Sequence, residues 1–140
     1  DANPKAVPVM NGTMVPDMKL GGSVISGDAV IEYVSGRLHP KLVVFATDVD
    51  GIFTADPRKN RKASLIKLVT QESFGSIRES LSGSAATDVT GGMMGKAERL
   101  LGIGSDVLIV NGNVPGRVEK ALLGSDVRGT LVKSGACSDI

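Results

Sequence analysis

A short apolar run that ends abruptly in acidic residues and glycine constrains the fold of this chain most. Residues 42–46 (Leu-Val-Val-Phe-Ala) are apolar without alternation, which is typical of a strand buried in a parallel sheet. The run continues into residues 47–51 (Thr-Asp-Val-Asp-Gly), where Gly51 permits a sharp turn, and Pro57 ends the regular structure. In open α/β sheets, ligands bind just beyond the carboxyl ends of strands. The two acids here can meet a ribose, a metal or a phosphate-bound cation, or they can belong to a polar loop that binds nothing.

The composition is that of a globular domain and argues against two classes of partner. The 140 residues are 41% hydrophobic and 22% charged with a formal net charge of +1, and this length suits one compact domain or one half of a larger one. We expect no nucleic-acid partner, because there is no basic tract and aromatic residues make up only 3%. We expect no membrane partner, because no apolar run approaches membrane-spanning length. The single Cys137 cannot form an internal disulfide, which favours a cytoplasmic location.

Strand and helix patterns alternate along most of the chain. Asn11-Gly12 predicts a hairpin between residues 7–10 and 13–15, and Ser26 is placed to cap a helix that opens with Gly27 and Asp28. The remaining predicted elements are strands at 23–25, 41–47, 65–69, 106–110 and 129–133, and helices at 74–81, about 94–101 and about 117–123. This alternation predicts an α/β fold, a three-layer α/β/α sandwich with a mainly parallel sheet. The single His39 lies at a helix-to-strand connection, where we interpret it as a surface or capping residue.

Three glycine-rich or acidic turns carry the candidate chemistry: residues 26–28 (Ser-Gly-Asp), 47–51 and 91–96 (Gly-Gly-Met-Met-Gly-Lys). Glycines let backbone N–H groups approach phosphate closely, and a helix N-terminus adds positive potential. Lys96 is a point charge that can follow a transferring phosphoryl group. The third turn is not a Walker A loop, since Thr90 stands where its first glycine is needed and Ala97 where its Ser or Thr is needed.

Taken together and in this order, these segments resemble the C-terminal half of the amino acid kinase superfamily, and within it the isopentenyl phosphate kinases most. The matching segments are residues 7–9, 25–28, 47–57 and 88–96, and the resemblance covers nearly all of residues 1–140. The string Asp-Gly-Ile-Phe-Thr-Ala-Asp-Pro at 50–57 is shared with UMP kinases and other members, so it indicates the superfamily. The string at 88–96 indicates the isopentenyl phosphate branch more narrowly.

The resemblance implies an ATP-dependent, Mg²⁺-requiring phosphotransferase and assigns catalytic roles. Gly27 would line the pocket of the phospho-acceptor, Asp28 would hold catalytic lysines in place, and Lys96 would stabilise the transferring phosphoryl group. The alternative for Gly27 is a simple turn, and the alternative for Asp28 is a helix cap. We predict no metal-binding side chain among these residues.

A second group of residues is implied to contact the nucleotide. Asp48 would contact it directly, with Phe53 and Asp56 as secondary contacts near the adenosine. Gly92 would border the nucleotide phosphates beside Lys96, unless it only makes a turn.

Two departures from the superfamily pattern bear on the acceptor. Thr13 follows Gly12, where family members usually carry an acid. The superfamily's N-terminal half, with a glycine-rich phosphate loop, lysines and a substrate-binding His, is not found in these 140 residues, and His39 lies in the wrong segment to replace that His. We therefore predict that the chain alone does not turn over.

The expected assembly and acceptor follow from the same resemblance. When intact, the protein would be a homodimer, or would pair with a separate N-terminal segment, and would act on a small phosphate acceptor. The acceptor alternatives are UMP and fosfomycin, and the alternative of another class is a non-catalytic nucleotide-binding module.

Overall fold

A computed structural model describes residues 6–82 and 89–135, with side chains described for residues 6–79 and 95–135. Its elements alternate much as the sequence pattern predicts. In chain order they are β1 (Thr13–Val15), β2 (Ser23–Ile25), α1 (Gly27–Leu38), β3 (Leu42–Thr47), β4 (Leu68–Thr70), α2 (Gln71–Ser82), α3 (Val89–Leu101), β5 (Asp106–Asn111), α4 (Arg117–Leu122) and β6 (Gly129–Lys133).

The main sheet has four strands in the order β3-β5-β6-β4. Strands β3 and β5 run parallel from Leu42 opposite Asp106 to Thr47 opposite Asn111, and β4 and β6 are also parallel. Two of the three pairings are thus parallel, which confirms the prediction of a mixed α/β fold with a mainly parallel sheet. The antiparallel pairing of β5 with β6 was not predicted. In the segment between them only the six residues of α4 are helical, and the chain does not make the long helical crossover that usually joins parallel strands.

The core lies between this sheet and the helices packed on it. Strand β5 contributes Val107 and Ile109, both fully buried, and β6 contributes Val132. Helix α3 contributes Ala97 and Leu100, which are three residues apart and so lie on one face of the helix. This packing fixes α3 relative to the strands, which matters because α3 also carries Lys96.

The predicted N-terminal hairpin is corrected by the structure. Residues 7–10 form no strand, and β1 pairs instead with β2 in antiparallel register, with Thr13 opposite Ile25. Pro8 interrupts the earlier segment because it has no N–H to donate. The turn that joins β1 to β2 is built on Asp17, whose carboxylate accepts hydrogen bonds from the backbone N–H groups of Lys19 and Leu20.

The start of α3 is the second correction. The helix begins at Val89 rather than near residue 94, so Gly91 and Gly92 lie in its first turn and not in a separate turn before it. Glycine costs about 0.5–1 kcal/mol relative to alanine in the middle of a helix, and these two glycines lie at its end instead. Lys96 is therefore in the middle of α3, one turn beyond Gly92.

A smaller difference concerns β4, and both caps of α1 are as predicted. Strand β4 covers residues 68–70 rather than 65–69, and Leu65 forms only an isolated antiparallel bridge with Phe53. The predicted cap of α1 is confirmed, because the Ser26 hydroxyl accepts from the Ala29 N–H at 3.2 Å. His39 is exposed and caps the other end of α1 in a left-handed conformation with φ 46°, which confirms the interpretation of His39 as a capping residue.

Candidate functional site

The parallel pair β3 and β5 brings two loops to one edge of the sheet. The strands end in register at Thr47 and Asn111, and the Gly112 N–H donates to the Thr47 carbonyl at 2.8 Å. A Cβ at Gly112 would lie 3.2 Å from the Cβ of Ala46, so the second loop passes close over the end of β3. The acidic turn at residues 47–51 therefore lies at the sheet edge where α/β proteins bind ligands, as the sequence predicts.

Asp48 is an exposed carboxylate held by a basic residue of the following loop. Arg58 Nη2 donates to Asp48 Oδ2 at 2.6 Å, and the Thr47 hydroxyl donates to Asp48 Oδ1 at 3.3 Å. The hydrogen bond and charge of Arg58 lower the pKa of Asp48 below its usual value. Asp48 is therefore ionised at neutral pH. Its side chain is exposed to solvent, so a nucleotide could reach it.

Asp56 organises the same basic loop. Its carboxylate accepts from the Arg58 N–H at 2.9 Å, and its carbonyl accepts from the Asn60 N–H at 2.8 Å. Phe53 precedes it and is half-buried in the bridge to Leu65. The structure thus gives Asp56 a local role in holding Arg58 beside Asp48, and its predicted contact with a nucleotide stays a prediction.

Asp50 connects three segments at this edge of the sheet. Its pairing with two arginines was not predicted from the sequence. It accepts hydrogen bonds from Arg117 Nη1, at the start of α4, and from Arg128 Nε, just before β6. Burial alone would raise the pKa of Asp50, but the hydrogen bonds and charges of the two arginines outweigh it and leave the pKa lowered. No local pattern could have revealed these partners, because they are 67 and 78 residues away in sequence.

The structure brings together Lys96 and Asp28, the two residues predicted to be catalytic. Lys96 Nζ lies 3.5 Å from Asp28 Oδ1, and both side chains are about one quarter exposed. The same ammonium lies 4.7 Å from the centroid of the Phe45 ring on β3. A distance of 3.5 Å is longer than a strong charge-assisted hydrogen bond, so N–H donors of Lys96 remain available. The catalytic roles of both residues stay a prediction.

Gly27 and Gly92 lie on the two helices that supply this ion pair. Gly27 precedes Asp28 at the start of α1 and is packed against Gly12, where an added Cβ would come within 2.8 Å of the Gly27 nitrogen. Gly92 is four residues before Lys96 in α3, and residues with this spacing share one face of a helix. The predicted roles of both glycines at the acceptor and nucleotide phosphates stay predictions.

The two groups of predicted site residues meet along β3. Phe45, beneath Lys96, is two residues before the end of the strand at Thr47, a distance of about 7 Å. The candidate site therefore runs from the start of α1, over Phe45 and Lys96, to the exposed carboxylate of Asp48.

Three carboxylates in this region are paired with lysine or arginine side chains. Within residues 6–82 and 89–135, no three His, Cys, Asp or Glu side chains are arranged to hold a metal ion. Asp28 faces Lys96, Asp48 faces Arg58, and Asp50 faces two arginines, so each carboxylate already has a cationic partner. In the same part of the chain, no helix is long and apolar enough to cross a bilayer.

Comparison with known proteins identifies the family of this chain. Residues 2–116 match the amino acid kinase family. The chain is 46% identical over 133 residues to the isopentenyl phosphate kinase of Methanothermobacter thermautotrophicus, covering 90% of this chain and 48% of that protein. It is 36% identical to the glutamate 5-kinase of Geobacter metallireducens, covering 89% of this chain and 34% of that protein.

The similarity extends to solved structures. An X-ray structure of isopentenyl phosphate kinase matches with a TM-score of 0.62 and 38% identity, over 87% of this chain and 44% of that one. The chain spans about half the length of the curated isopentenyl phosphate kinase that it matches. The family match over most of the sequence, with a fold that is shared with solved relatives, shows that this chain belongs to the amino acid kinase family.

Proposed function

We propose that this chain supplies the nucleotide-binding half of an ATP-dependent kinase that converts isopentenyl phosphate to isopentenyl diphosphate. The observation that carries the proposal is the Lys96 ammonium, which is paired with Asp28 at 3.5 Å beside the carboxyl end of β3. The 46% identity to an isopentenyl phosphate kinase supports this choice of acceptor. The chain would act together with an N-terminal half, either joined to it or supplied as a separate segment, and we call this the assembled kinase.

The main contribution of the chain to catalysis would be positive charge placed beside the transferring phosphoryl group. ATP supplies the phosphoryl group, which passes from the β-phosphate oxygen to a phosphate oxygen of the acceptor. Such transfers are catalysed by positioning and by positive charge around the equatorial oxygens. Lys96 would provide that charge, and Asp28 would orient the ammonium without consuming all of its donors. Gly27 would leave room for the acceptor phosphate at the start of α1.

Nucleotide contacts would come from the edge where β3 ends. Asp48 is exposed there and can accept hydrogen bonds from ribose hydroxyls, with Phe53 and Asp56 behind it. Gly92 would let the nucleotide phosphates approach α3 one turn before Lys96. Mg²⁺ would be carried by the nucleotide phosphates, because Asp28, Asp48 and Asp50 are each paired with a lysine or arginine.

Two architectural expectations belong to the same proposal. We place helices on both faces of the main sheet, giving a three-layer α/β/α sandwich, and we expect the assembled kinase to be a homodimer. A cytoplasmic location is in keeping with the single Cys137.

Other acceptors form the second candidate function, because Thr13 replaces the usual family acid and a glutamate 5-kinase is also 36% identical. A panel of isopentenyl phosphate, UMP, fosfomycin and glutamate, tested on the assembled kinase with ATP, separates these possibilities. We expect the highest kcat/KM with isopentenyl phosphate. Binding of ATP without transfer to any acceptor would favour a non-catalytic nucleotide-binding module.

The role of Lys96 is tested by substitution in the assembled kinase. Lys96→Ala should lower kcat by roughly 10²–10³-fold, the scale for losing one preorganised donor, with a much smaller change in the KM for ATP. Lys96→Arg should not restore the full rate, because a planar guanidinium does not replace a compact ammonium. The exposed Lys120 on α4 is the matched control, and Lys120→Ala should leave kcat unchanged. A Lys96→Ala enzyme with the kcat of the wild type would refute the assignment.

A further inference from the structure

The ring beneath Lys96 belongs to a residue that the proposed function does not use. Phe45 is only 7% exposed and packs in the same core as Leu100 and Val107. The Lys96 ammonium lies 4.7 Å from the ring centroid, within the roughly 6 Å range over which a cation is attracted to an aromatic face. The ring thus contacts the candidate catalytic charge from the sheet side, and Asp28 contacts it from α1.

We propose that Phe45 is a positioning residue for Lys96, holding its ammonium in place for phosphoryl transfer through the face of its ring. The inference rests on the proposed function, since it assumes that Lys96 stabilises the transferring phosphoryl group. It assigns to a core residue a role in catalysis that acts only through Lys96.

The face of an aromatic ring suits this task because it attracts the ammonium without neutralising its charge. Lysine reaches its ammonium through a long flexible stem, so a single partner leaves its position poorly fixed. A second carboxylate beside Asp28 would fix the ammonium but would also cancel the charge that phosphoryl transfer requires. The quadrupole of an aromatic ring attracts the cation while carrying no net charge. Asp28 and Phe45 therefore restrain Lys96 from two directions and leave positive charge for the phosphoryl oxygens.

The position of the ring is itself well fixed. Phe45 lies in the middle of β3, which pairs with β5 along six residues, and core side chains in close packing keep one rotamer. A rigid support matters here, because a displacement of about 1 Å in a catalytic group can cost about 10²-fold in rate.

The decisive experiment changes the electronic character of the ring and keeps its shape. Phe45 is replaced in the assembled kinase by 4-fluoro-, 3,5-difluoro- and 3,4,5-trifluorophenylalanine, which weaken the negative face stepwise. We expect kcat to fall with each added fluorine, by about 5- to 30-fold in total, the loss expected when a desolvated cation–π contact is removed. The melting temperature and the KM for ATP should change little. The same series at Phe74, a partly buried residue of α2 at the edge of the core, should leave kcat unchanged.

A second variant and a spectroscopic readout complete the test. Phe45→Leu keeps an apolar side chain but removes the ring, so kcat should fall by about 10-fold or more, and the ring-current shift of the Lys96 ε-methylene resonance should disappear. If fluorination leaves kcat unchanged while Lys96→Ala still lowers it, the positioning role is wrong and the proposed function stands. If Lys96→Ala itself has no effect, the proposed function fails and this inference fails with it.

Discussion

Asp50 shows at the scale of one residue how strongly a charge depends on the fold around it. Its side chain is 23% exposed, and its carboxylate is paired with both Arg117 and Arg128. Asp50→Asn keeps the shape but removes the charge that pairs with both arginines. We expect the free energy of unfolding to fall by about 1.5–3 kcal/mol at pH 7, the range for hydrogen bonds to charged groups. Asp126→Asn, an exposed residue, is the matched control and should change stability by less than about 0.5 kcal/mol.

The effect of Asp50 should also depend on pH in a defined direction. Because its pKa is lower in the folded protein than in the unfolded chain, its contribution is complete above the unfolded value of about 3.9 and is lost as the pH falls through the folded value. The stability difference between wild type and Asp50→Asn should therefore shrink as the pH is lowered below about 4. Urea unfolding of both proteins across this range measures it, and a difference that stays constant with pH would contradict the argument.

The role of a single residue could be predicted where its partner is close in sequence, and could not where the partner is distant. Ser26 was correctly predicted as a cap because its partner, the Ala29 N–H, is three residues away. The capping role of His39 was predictable for the same local reason. The arginine partners of Asp50 are brought together only by the pairing of strands and by the return of the chain through α4, so no spacing rule identifies them. Phe45 was predicted to lie in a buried strand. Its contact with Lys96 was not predicted, because that contact depends on where α3 packs.

At the scale of elements, Thr130 ties the loop after β3 to the β4 and β6 region. Its buried hydroxyl accepts from the Ile52 N–H at 2.8 Å and donates to the Ile66 carbonyl at 2.6 Å. Gly51 is required beside it, because an added Cβ would lie 2.9 Å from the Thr130 nitrogen. This connection holds the acidic turn at residues 47–51 against the sheet.

Thr130→Val tests this connection, since valine has nearly the same shape and neither donates nor accepts. The buried Ile52 N–H would lose its partner, so we expect a loss of about 1–3 kcal/mol in the free energy of unfolding. Thr54→Val removes a similar hydrogen bond to the Ser64 N–H at an exposed position, where water can replace it, and should cost less. Equal losses for the two variants in denaturant titrations would show that burial of the Thr130 hydrogen bonds is not the cause.

The accuracy of the predicted elements follows from the strength of each local signal. Strands β3, β5 and β6 lie within one residue of their predicted bounds. The signal in β3 and β5 is an apolar run, although only Phe45 of β3 is buried because β3 is an edge strand. Helix α3 began five residues earlier than expected, since glycines at 91 and 92 were interpreted as a turn although a first helical turn also accepts them. The antiparallel pairing of β6 depends on the path of the chain after β5 and has no signature within β6 itself.

At the scale of the whole molecule, the candidate site is assembled from segments that are distant in sequence. Asp28 on α1, Phe45 on β3 and Lys96 on α3 meet because α3 packs across the sheet beside α1. The sequence alone indicated that residues 26–28, 47–51 and 91–96 carry chemistry, and the family resemblance indicated that they share one site. The meeting of Lys96 and Asp28 agrees with that resemblance, which the spacing of the residues could not have supplied.

Without an N-terminal half, this chain should bind ATP but should not transfer its phosphoryl group. Its candidate site offers Lys96 from α3 and exposed Asp48 at the strand edge, so we expect the purified chain to bind ATP measurably. Stabilising the transition state needs donors on several sides of the transferring group, and the ion pair of Lys96 with Asp28 approaches it from one side. We therefore expect no steady-state transfer to isopentenyl phosphate from the chain alone.

Joining the chain to an N-terminal half from a relative should give transfer to isopentenyl phosphate. The N-terminal half of the Methanothermobacter thermautotrophicus isopentenyl phosphate kinase is a suitable partner, because that protein is 46% identical to this chain across the part they share. Titration calorimetry with a non-hydrolysable ATP analogue measures binding by the chain, and a coupled assay measures transfer before and after the partner is joined to it. Transfer by the chain alone that is abolished by Lys96→Ala would overturn the prediction, since a contaminating kinase would not respond to that substitution. Such a result would mean that Lys96, Asp28 and the backbone around Gly27 and Gly92 already surround the phosphoryl group sufficiently for catalysis.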